Sequence, residues 1–505
     1  MTEPHPVDED LLSLVRRQAA RYGDKTFMTF GDGSSMSYRD FDQRVGTVRA
    51  QLATHDIDGK QVAIMMKNSL FYPATWLGVV TAGCVAVPIN SRLRARDARY
   101  ILEHSEAVAV YADDSTREVA SAAGAELLLA EPTDHQPYEN EAHVSSKSIA
   151  NIQYTSGTTG FPKGCRLSHE FWQRMGATAI DVMDITEEDT LLTSQPHSYI
   201  DPQWNVIATL RAGAHLVLLD RFHPTSFMED VRRFAVTFFY CVGVMPTLLM
   251  KQPFSTHDCN HSLTRVYCSA IPPEFHGVIE ERWGVSWSEV FGMTETGINI
   301  AVLPGDHDRS VGTGTIGKVL PHNEAAIVGV DDSQLPDGEI GELALRGVGL
   351  MEGYHRDERS TDHFFRNGWA HTGDLATRDA DGFIYLRGRR KEMIRRGGEN
   401  IAAVEVESVL VGHDAVLECA VASVPDADMG EEIKAYVVLS PNHTATPREL
   451  ADYLAQQLAP FKVPRYWEFR NSLPHTPSER IAKHQLEEGR NDFRRNTINL
   501  RTDQL

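Results

Sequence analysis

Short apolar segments alternate with amphipathic stretches through most of this chain, and that rhythm limits the folds open to it. QVAIMM (61–66), CVAVPI (84–89), HLVLLD (215–220), FFYCVGVM (238–245), RVYCSA (265–270) and the stretch Val285–Val290 read as strands. Helical periods run over Leu11–Tyr22, Tyr38–Thr54 and Pro273–Trp283. Another helix is opened by Ser226, where Glu229 completes a capping-box pattern, and another follows Pro246. Strands that are apolar throughout and separated by helices belong to a mostly parallel sheet covered on both faces. From Thr315 to Gly388 the pattern changes to short segments with Gly and Asp turns, LPDGEIGELALRG and RDADGFIYLRG, which read as hairpins. A smaller α+β pattern follows, with a helix over Val404–Val411, strands LECAVASV and KAYVVL, a helix capped by Thr446 with Pro447 and Glu449, and a strand RYWEF. The expected class is α/β, with a large N-terminal domain (1–388) of layered α/β subdomains plus a β-rich subdomain, and a small α+β C-terminal domain (389–505).

Totals exclude several kinds of function. The 505 residues exceed one ordinary core, and 42% apolar with 24% charged residues is a globular composition. A net charge of -21 argues against nucleic acid as a principal partner, because such partners need a basic surface that displaces counterions. The longest apolar run, Trp76 to Pro88, is interrupted by Gly78 and Gly83 and is too short to span a bilayer, so no stable membrane association is expected. No basic segment with an apolar core opens the sequence, and six cysteines (84, 165, 241, 259, 268, 419) form no C-x-x-C pair. A cytoplasmic location is the expectation.

The stretch YTSGTTGFPKGCRLSH (Tyr154–His169) is the strongest chemical signal. Thr155, Ser156, Thr158 and Thr159, with Gly157, Gly160 and Gly164, surround Lys163 just after an apolar stretch, Ile149–Tyr154. Glycine permits close backbone approach, so successive N–H groups, hydroxyls and one ammonium can converge on an oxyanion. The Walker spacing G-x-x-x-x-G-K-[ST] is absent. A polar surface loop is the competing reading of such a composition. Gly312, Gly314 and Gly317 fit G-x-G-x-x-G, but PGDHDRS before them is no strand and Pro321 interrupts any helix after them, so the dinucleotide fingerprint is not met.

Four more stretches carry chemistry. FGMTETG (Phe291–Gly297) follows an apolar strand and offers Glu295 for magnesium and Thr294 for a phosphate oxygen, or is an ordinary strand-to-helix turn. HTGDLA (His371–Ala376) offers Asp374 as an acceptor for two ribose hydroxyls, or is a hairpin turn. GRRKEMIRRGGENI (Gly388–Ile401) is a basic run in an acidic chain, and such runs are usually solvated faces. LPHTPSERIAKHQL (Leu473–Leu486) places Arg480 and Lys483 near the carboxyl end.

In this order, the five stretches, with GELALRG (Gly341–Gly347), resemble the motifs of the adenylate-forming superfamily of acyl-CoA and aryl-CoA synthetases, luciferases and adenylation domains. The resemblance covers nearly the whole chain. Within the family, IRRGGENIAAVEVE and APFKVP look most like crotonobetaine/carnitine-CoA ligases and similar small-acid ligases. It implies a two-step reaction with ATP, Mg2+ and coenzyme A, in which a small-molecule carboxylic acid becomes acyl-AMP with release of pyrophosphate and then a thioester. By similarity, Thr155, Ser156, Gly157, Thr158, Thr159, Gly160 and Lys163 hold the β and γ phosphates, and Glu295 with Thr155 holds the metal. Cys268, Ser269 and Ala270 line the adenine, Phe291 lies against its plane with Gly292, Met293 and Thr294 following, and Asp374 and Arg389 bind the ribose. Lys391 falls at the hinge of a mobile lid domain, and Gly397, Gly398 and Glu399 form the loop of the thioester step. The acyl pocket by analogy is Tyr199, Asp201, Trp204, Val242, Gly243 and Val244.

Two departures stand out. Where the family has Pro-Thr-Gly-Lys, this chain has Pro477, Ser478, Glu479, Arg480, so either Arg480 or the nearby Lys483 supplies the adenylation charge. In PHSYID, the family's gating histidine aligns with Tyr199. Tyr199, Asp201 and Trp204 could cage a quaternary ammonium; alternatively Trp204 is core and Asp201 a helix cap. A stand-alone adenylation enzyme that loads a carrier protein and a non-catalytic nucleotide-binding relative are the other functional classes, and the oligomeric state, a homodimer included, is left open.

Overall fold

The computed structural model describes residues 10–132, 144–155, 162–242, 245–389, 393–396, 399–426, 429–475, 481–486, 493 and 496–500. The expected rhythm is present. Gln61–Met65, Val85–Pro88, Ala109–Ala112, Leu128–Leu129 and Ile149–Thr155 form a parallel sheet, and Lys163–Ser168 closes one edge antiparallel to Ile149–Thr155. A second sheet of 14 strands is parallel from Thr26–Phe30 to Trp287–Met293, through His215–Leu218, Thr190–Thr193, Phe238–Val242 and Arg265–Ser269.

At Trp287–Met293 the second sheet turns antiparallel. It continues without a break through Gly297–Ala301, Thr315–Val319, Ile384–Arg389, Trp369–Arg378, Gly341–Gly347 and Asn323–Val328. The hairpin-rich region is therefore hydrogen-bonded into the α/β sheet rather than lying apart from it. FGMTETG sits where parallel pairing ends and forms a strand-to-strand turn, not a strand-to-helix turn.

Helices Tyr38–Ala53, Phe71–Thr81, His169–Met183 and Ile200–Ala212 share one core with strands of both sheets. Phe71–Thr81 is buried on every side, which its uniformly apolar sequence requires. A Cβ at Gly78 would stand 2.5 Å from the Val48 side chain, so glycine lets this helix meet its neighbour. The helix Phe227–Arg233 forms, but Ser226 makes no side-chain cap, so the capping box read there is absent. Thr446 and Glu449 do form one, opening Pro447–Ala455. Gly312 and Gly314 precede the strand Thr315–Val319, which contains Gly317, and no dinucleotide fold is built there.

The C-terminal segment has its own sheet, ordered Glu399–Ala402, Met393–Arg396, Gly430–Leu439, Tyr466–Phe469 and Ile498–Asn499, with Val416–Asp426 also paired to Gly430–Leu439. Its core, including Ile401, Val406, Leu410, Val421, Val437, Leu450 and Trp467, is separate from those of the larger domain. The two domains meet where Lys251, just past the helix Met245–Met250, donates to the carbonyls of Val416 and Leu417. Burial lowers the Lys251 ammonium to about 8. No helix among the described residues is long and apolar enough to cross a membrane.

Candidate active site

The glycine-rich stretch is flanked by two antiparallel strands, Ile149–Thr155 and Lys163–Ser168. Thr155 and Lys163 are cross-strand partners, so these two residues are held together at the carboxyl end of a parallel strand, where α/β sheets bind ligands. Ser156, Gly157, Thr158, Thr159 and Gly160 lie outside the described residues. The Thr155 hydroxyl points back to the Lys163 carbonyl at 3.5 Å. Lys163 Nζ donates to Ser360 Oγ at 2.6 Å and stands 5.0 Å from the centre of the Tyr354 ring.

Tyr354 links two of the motifs. Its hydroxyl donates to Glu295 Oε1 at 3.1 Å, and burial together with that carboxylate raises its pKa. Main-chain bonds complete the joint: Arg166 N–H to Gly353 O (2.9 Å), His355 N–H to Gly164 O (2.7 Å) and Met351 N–H to Glu295 O (2.8 Å). Segment 351–355 thus stitches the lysine strand to the Glu295 turn. Tyr354 and Ser360 were absent from the sequence reading, because their role arises from a cross-strand bridge, Cys165 to Tyr354, that no local pattern encodes. Glu295 is 9% exposed, and no group of three potential metal ligands occurs among the described residues. One carboxylate of this kind fits a magnesium ion whose other ligands are phosphate oxygens and water.

The strand Arg265–Ser269 ends at the expected adenine seat. Ser269 Oγ donates to Val290 O at 2.6 Å and pairs with Tyr240 Oη at 2.8 Å. Ala270 adopts φ +77°, a left-handed conformation costly for a residue with a Cβ. It is held by Glu289, a buried carboxylate on the neighbouring strand that accepts from the N–H groups of Ala270 (3.1 Å) and Ile271. Burial pushes the Glu289 pKa up to about 8. The Cys268 side chain is turned into the core, with Cys241, so any part of Cys268 at the seat is its main chain. Phe291 is largely buried at the edge of the β-rich core, Gly292 is exposed, and Met293 and Thr294 are half-buried. At Gly292 a Cβ would fall 2.6 Å from the Gly297 carbonyl oxygen, so no side chain fits.

Asp374 and Arg389 are cross-strand partners, and Arg389 Nε donates to Asp374 Oδ1 at 2.7 Å. Three of the acyl-pocket candidates, Tyr199, Asp201 and Trp204, gather around the start of the helix Ile200–Ala212. Tyr199 is its N-cap residue and accepts from Asn90 Nδ2 at 3.0 Å. Trp204 is 1% exposed, its ring edge-on to Tyr240 and its indole N–H directed at Asp201 Oδ1 (3.4 Å). That burial is the arrangement expected of the reading in which Trp204 is a core residue. Asp201 lies in the first turn rather than at the cap, and Val242 ends a strand half-buried. Gly243 and Val244 lie outside the described residues.

In the small domain, Lys483 Nζ is paired with Glu407 at 2.8 Å, and Glu407 also accepts from the Val421 N–H at 2.6 Å. Lys391, Gly397, Gly398 and Arg480 lie outside the described residues, as does the side chain of Glu399.

A family model described as "AMP-binding enzyme" matches residues 15–355, and one described as "AMP-binding enzyme C-terminal domain" matches 405–480. Similar proteins include a sulfoacetate–CoA ligase of Cupriavidus necator, 31% identical with 96% of this chain and 98% of that protein covered. A crotonobetaine/carnitine–CoA ligase of Citrobacter koseri is 32% identical, with 92% and 96% covered. Among solved structures, o-succinylbenzoate CoA synthetase from Bacillus subtilis in complex with its acyl-adenylate intermediate superposes with a TM-score of 0.85 at 26% identity, over 97% of this chain and 99% of that one.

Proposed function

Because the chain belongs to the AMP-binding enzyme family, we propose that it is an AMP-forming acid–CoA ligase that takes a small carboxylic acid, ATP and coenzyme A to an acyl-CoA, AMP and pyrophosphate. The observation that carries this reading is the gathering of Lys163, Tyr354 and Glu295 beside the Thr155–Lys163 strand pair, with the Lys163 ammonium over the Tyr354 ring and the Tyr354 hydroxyl donating to Glu295.

In the first step an acid oxygen bonds to the α-phosphorus and the bond to pyrophosphate breaks. Lys163 and the hairpin turn balance charge on the departing pyrophosphate, while Asp374 and Arg389 fix the ribose and the Ser269–Ala270 turn seats the base. Glu295, with Thr155, would hold magnesium, which supplies a Lewis acid that neutralises phosphate charge. The second step breaks the acyl–phosphate bond as the CoA sulfur bonds to the acyl carbon, and AMP leaves. Rotation of the residues 389–505 domain about Lys391 would exchange Arg480 for the Gly397–Glu399 loop between the steps. The pairing of Lys483 with Glu407, which also accepts from the Val421 N–H, favours Arg480 as the adenylation cation.

Of the described acyl-pocket residues, Asp201 alone is charged, which favours an acid with a cationic or neutral tail over one with a second anion. This reading places the enzyme nearer its crotonobetaine/carnitine relatives than its sulfoacetate relative, and its free cysteines fit a reducing cytoplasm. AMP release measured over a panel of acids containing crotonobetaine, carnitine, sulfoacetate, and fatty and aromatic acids, each with and without CoA, is the test. CoA-dependent turnover of a small acid supports the ligase. Turnover of sulfoacetate in preference to the betaines refutes the tail assignment, and no acid-dependent AMP with any member refutes the ligase.

A further inference from the structure

Asp374 does not lie on a regular strand. Between the pairs Glu342–Leu375 and Ala344–His371, the strand Gly341–Gly347 advances by two residues while Trp369–Arg378 advances by four, so Thr372, Gly373 and Asp374 form a bulge. Bulges re-aim side chains and leave backbone groups without ladder partners. Here side chains supply the partners. Glu342 Oε1 accepts from the Gly373 N–H at 3.1 Å, with Gly373 at φ +75°. Thr372 Oγ1 accepts from the Asp374 N–H at 3.1 Å and donates to Leu343 O at 2.8 Å.

Glu342 is itself held from behind. Its second oxygen, Oε2, accepts from Arg366 Nη2 at 2.9 Å and lies 3.2 Å from His371 Nδ1. Arg366 in turn grips both oxygens of Asp332, which also accepts from Asn367 at 2.9 Å. The Glu342 and His371 side chains are 8% and 2% exposed while Arg366 and Asp332 are 21% and 18% exposed, so the ionic cluster is buried where it meets the bulge and opens to solvent behind it. A straight strand would need no carboxylate there.

We propose that Glu342 is a positioning residue: by bracing the bulge at Gly373 it sets the aim of Asp374 and thereby the preference for ribose over 2′-deoxyribose nucleotides. The inference rests on the reading above that Asp374 receives the ribose hydroxyls. Glutamine in place of Glu342 offers one acceptor oxygen where glutamate offers two, so it cannot serve Gly373 and Arg366 together.

The test compares KM and kcat for ATP, 2′-deoxy-ATP and ITP in acid-dependent pyrophosphate release by the wild type, Glu342→Gln, Thr372→Val and Asp374→Asn. Glu342→Gln is expected to raise KM for ATP by about tenfold, the effect of one lost hydrogen bond to a charged group, with kcat within about twofold. The ATP-to-deoxy-ATP preference narrows while the ATP-to-ITP preference, which reports the base, stays put. A folded Glu342→Gln enzyme with the wild-type sugar preference overturns the inference. So does loss of sugar and base preference together, which marks general loosening. Should Glu342→Gln not fold, Thr372→Val carries the same expectation and the same refutation. Asp374→Asn separates the two layers: if it retains the wild-type sugar preference, Asp374 does not read the ribose and the underlying assignment fails whatever Glu342 does.

Discussion

Glu289 lets the support of the proposed adenine seat be tested through stability alone. Its carboxyl is buried against the N–H groups of Ala270 and Ile271, and burial moves its pKa from 4.5 to about 8. Between those values the folded protein keeps a proton that the unfolded chain has released. The raised pKa therefore contributes stability that is fully present below about pH 4.5 and is lost as pH rises through about 8. At about 1.4 kcal/mol per unit, the whole loss is on the order of 4–5 kcal/mol, which in a domain of this size is on the order of several degrees in Tm. Glu289→Gln keeps the shape and one acceptor but cannot titrate. Melting curves of both proteins at one scan rate, from pH 5 to pH 8.5, should show the wild-type Tm falling relative to the variant as pH rises. A constant difference across that range would falsify the argument. So would a wild type that gains on the variant with rising pH, because that would make Glu289 an ionised carboxylate stabilised by its two amides.

Tyr354→Phe removes the hydroxyl on Glu295 while leaving the ring beside Lys163, and pyrophosphate release should fall about 10- to 100-fold, the worth of a hydrogen bond to a charged group. An unchanged rate would mean the hydroxyl has no part in placing Glu295. Arg480→Ala should reduce acid-dependent pyrophosphate exchange by at least about 100-fold, as expected for loss of a charge aimed at the transition state. Lys483→Ala should retain the exchange and lower the melting temperature of the small domain, because it unpairs Glu407; the opposite pattern would transfer the role to Lys483. Gly292→Ala should cost about 1–3 kcal/mol or distort the Thr294–Glu295 turn, read as lower Tm together with weaker ATP binding by calorimetry, since its Cβ would meet the Gly297 carbonyl. Wild-type values for both would show that the turn has room.

Local signals carried most of the fold. Leu11–Tyr22 and Pro273–Trp283 are helices with the bounds read from periodicity, and the hairpins in LPDGEIGELALRG and RDADGFIYLRG pair as their turns suggested. What the chain's local pattern left hidden was of two kinds. Continuity between sheets was hidden, because pairing of Gly297–Ala301 with Thr315–Val319 is a long-range register with no marker in either segment. Side-chain supports were hidden too. Ser226 and Glu229 have a capping-box spacing without the bond, whereas Tyr354, Ser360, Glu289 and Glu342 look like ordinary surface polars until the sheet folds them onto Glu295, Lys163, Ala270 and Gly373. Motifs name the groups that meet substrate. The residues that hold those groups are set by tertiary pairing.

The contact of Lys251 with the small domain has a consequence for how this enzyme tolerates change. Its ammonium reads the main-chain carbonyls of Val416 and Leu417, which every amino acid presents alike. The grip itself is therefore indifferent to which side chains stand at those positions: Val416 is constrained by its burial in the small domain's own core and not by Lys251, whose replacement should weaken the docked arrangement. A joint built on backbone rather than on matched side chains has one partner under selection instead of two, and a large domain bearing that lysine could accept small domains of diverged sequence.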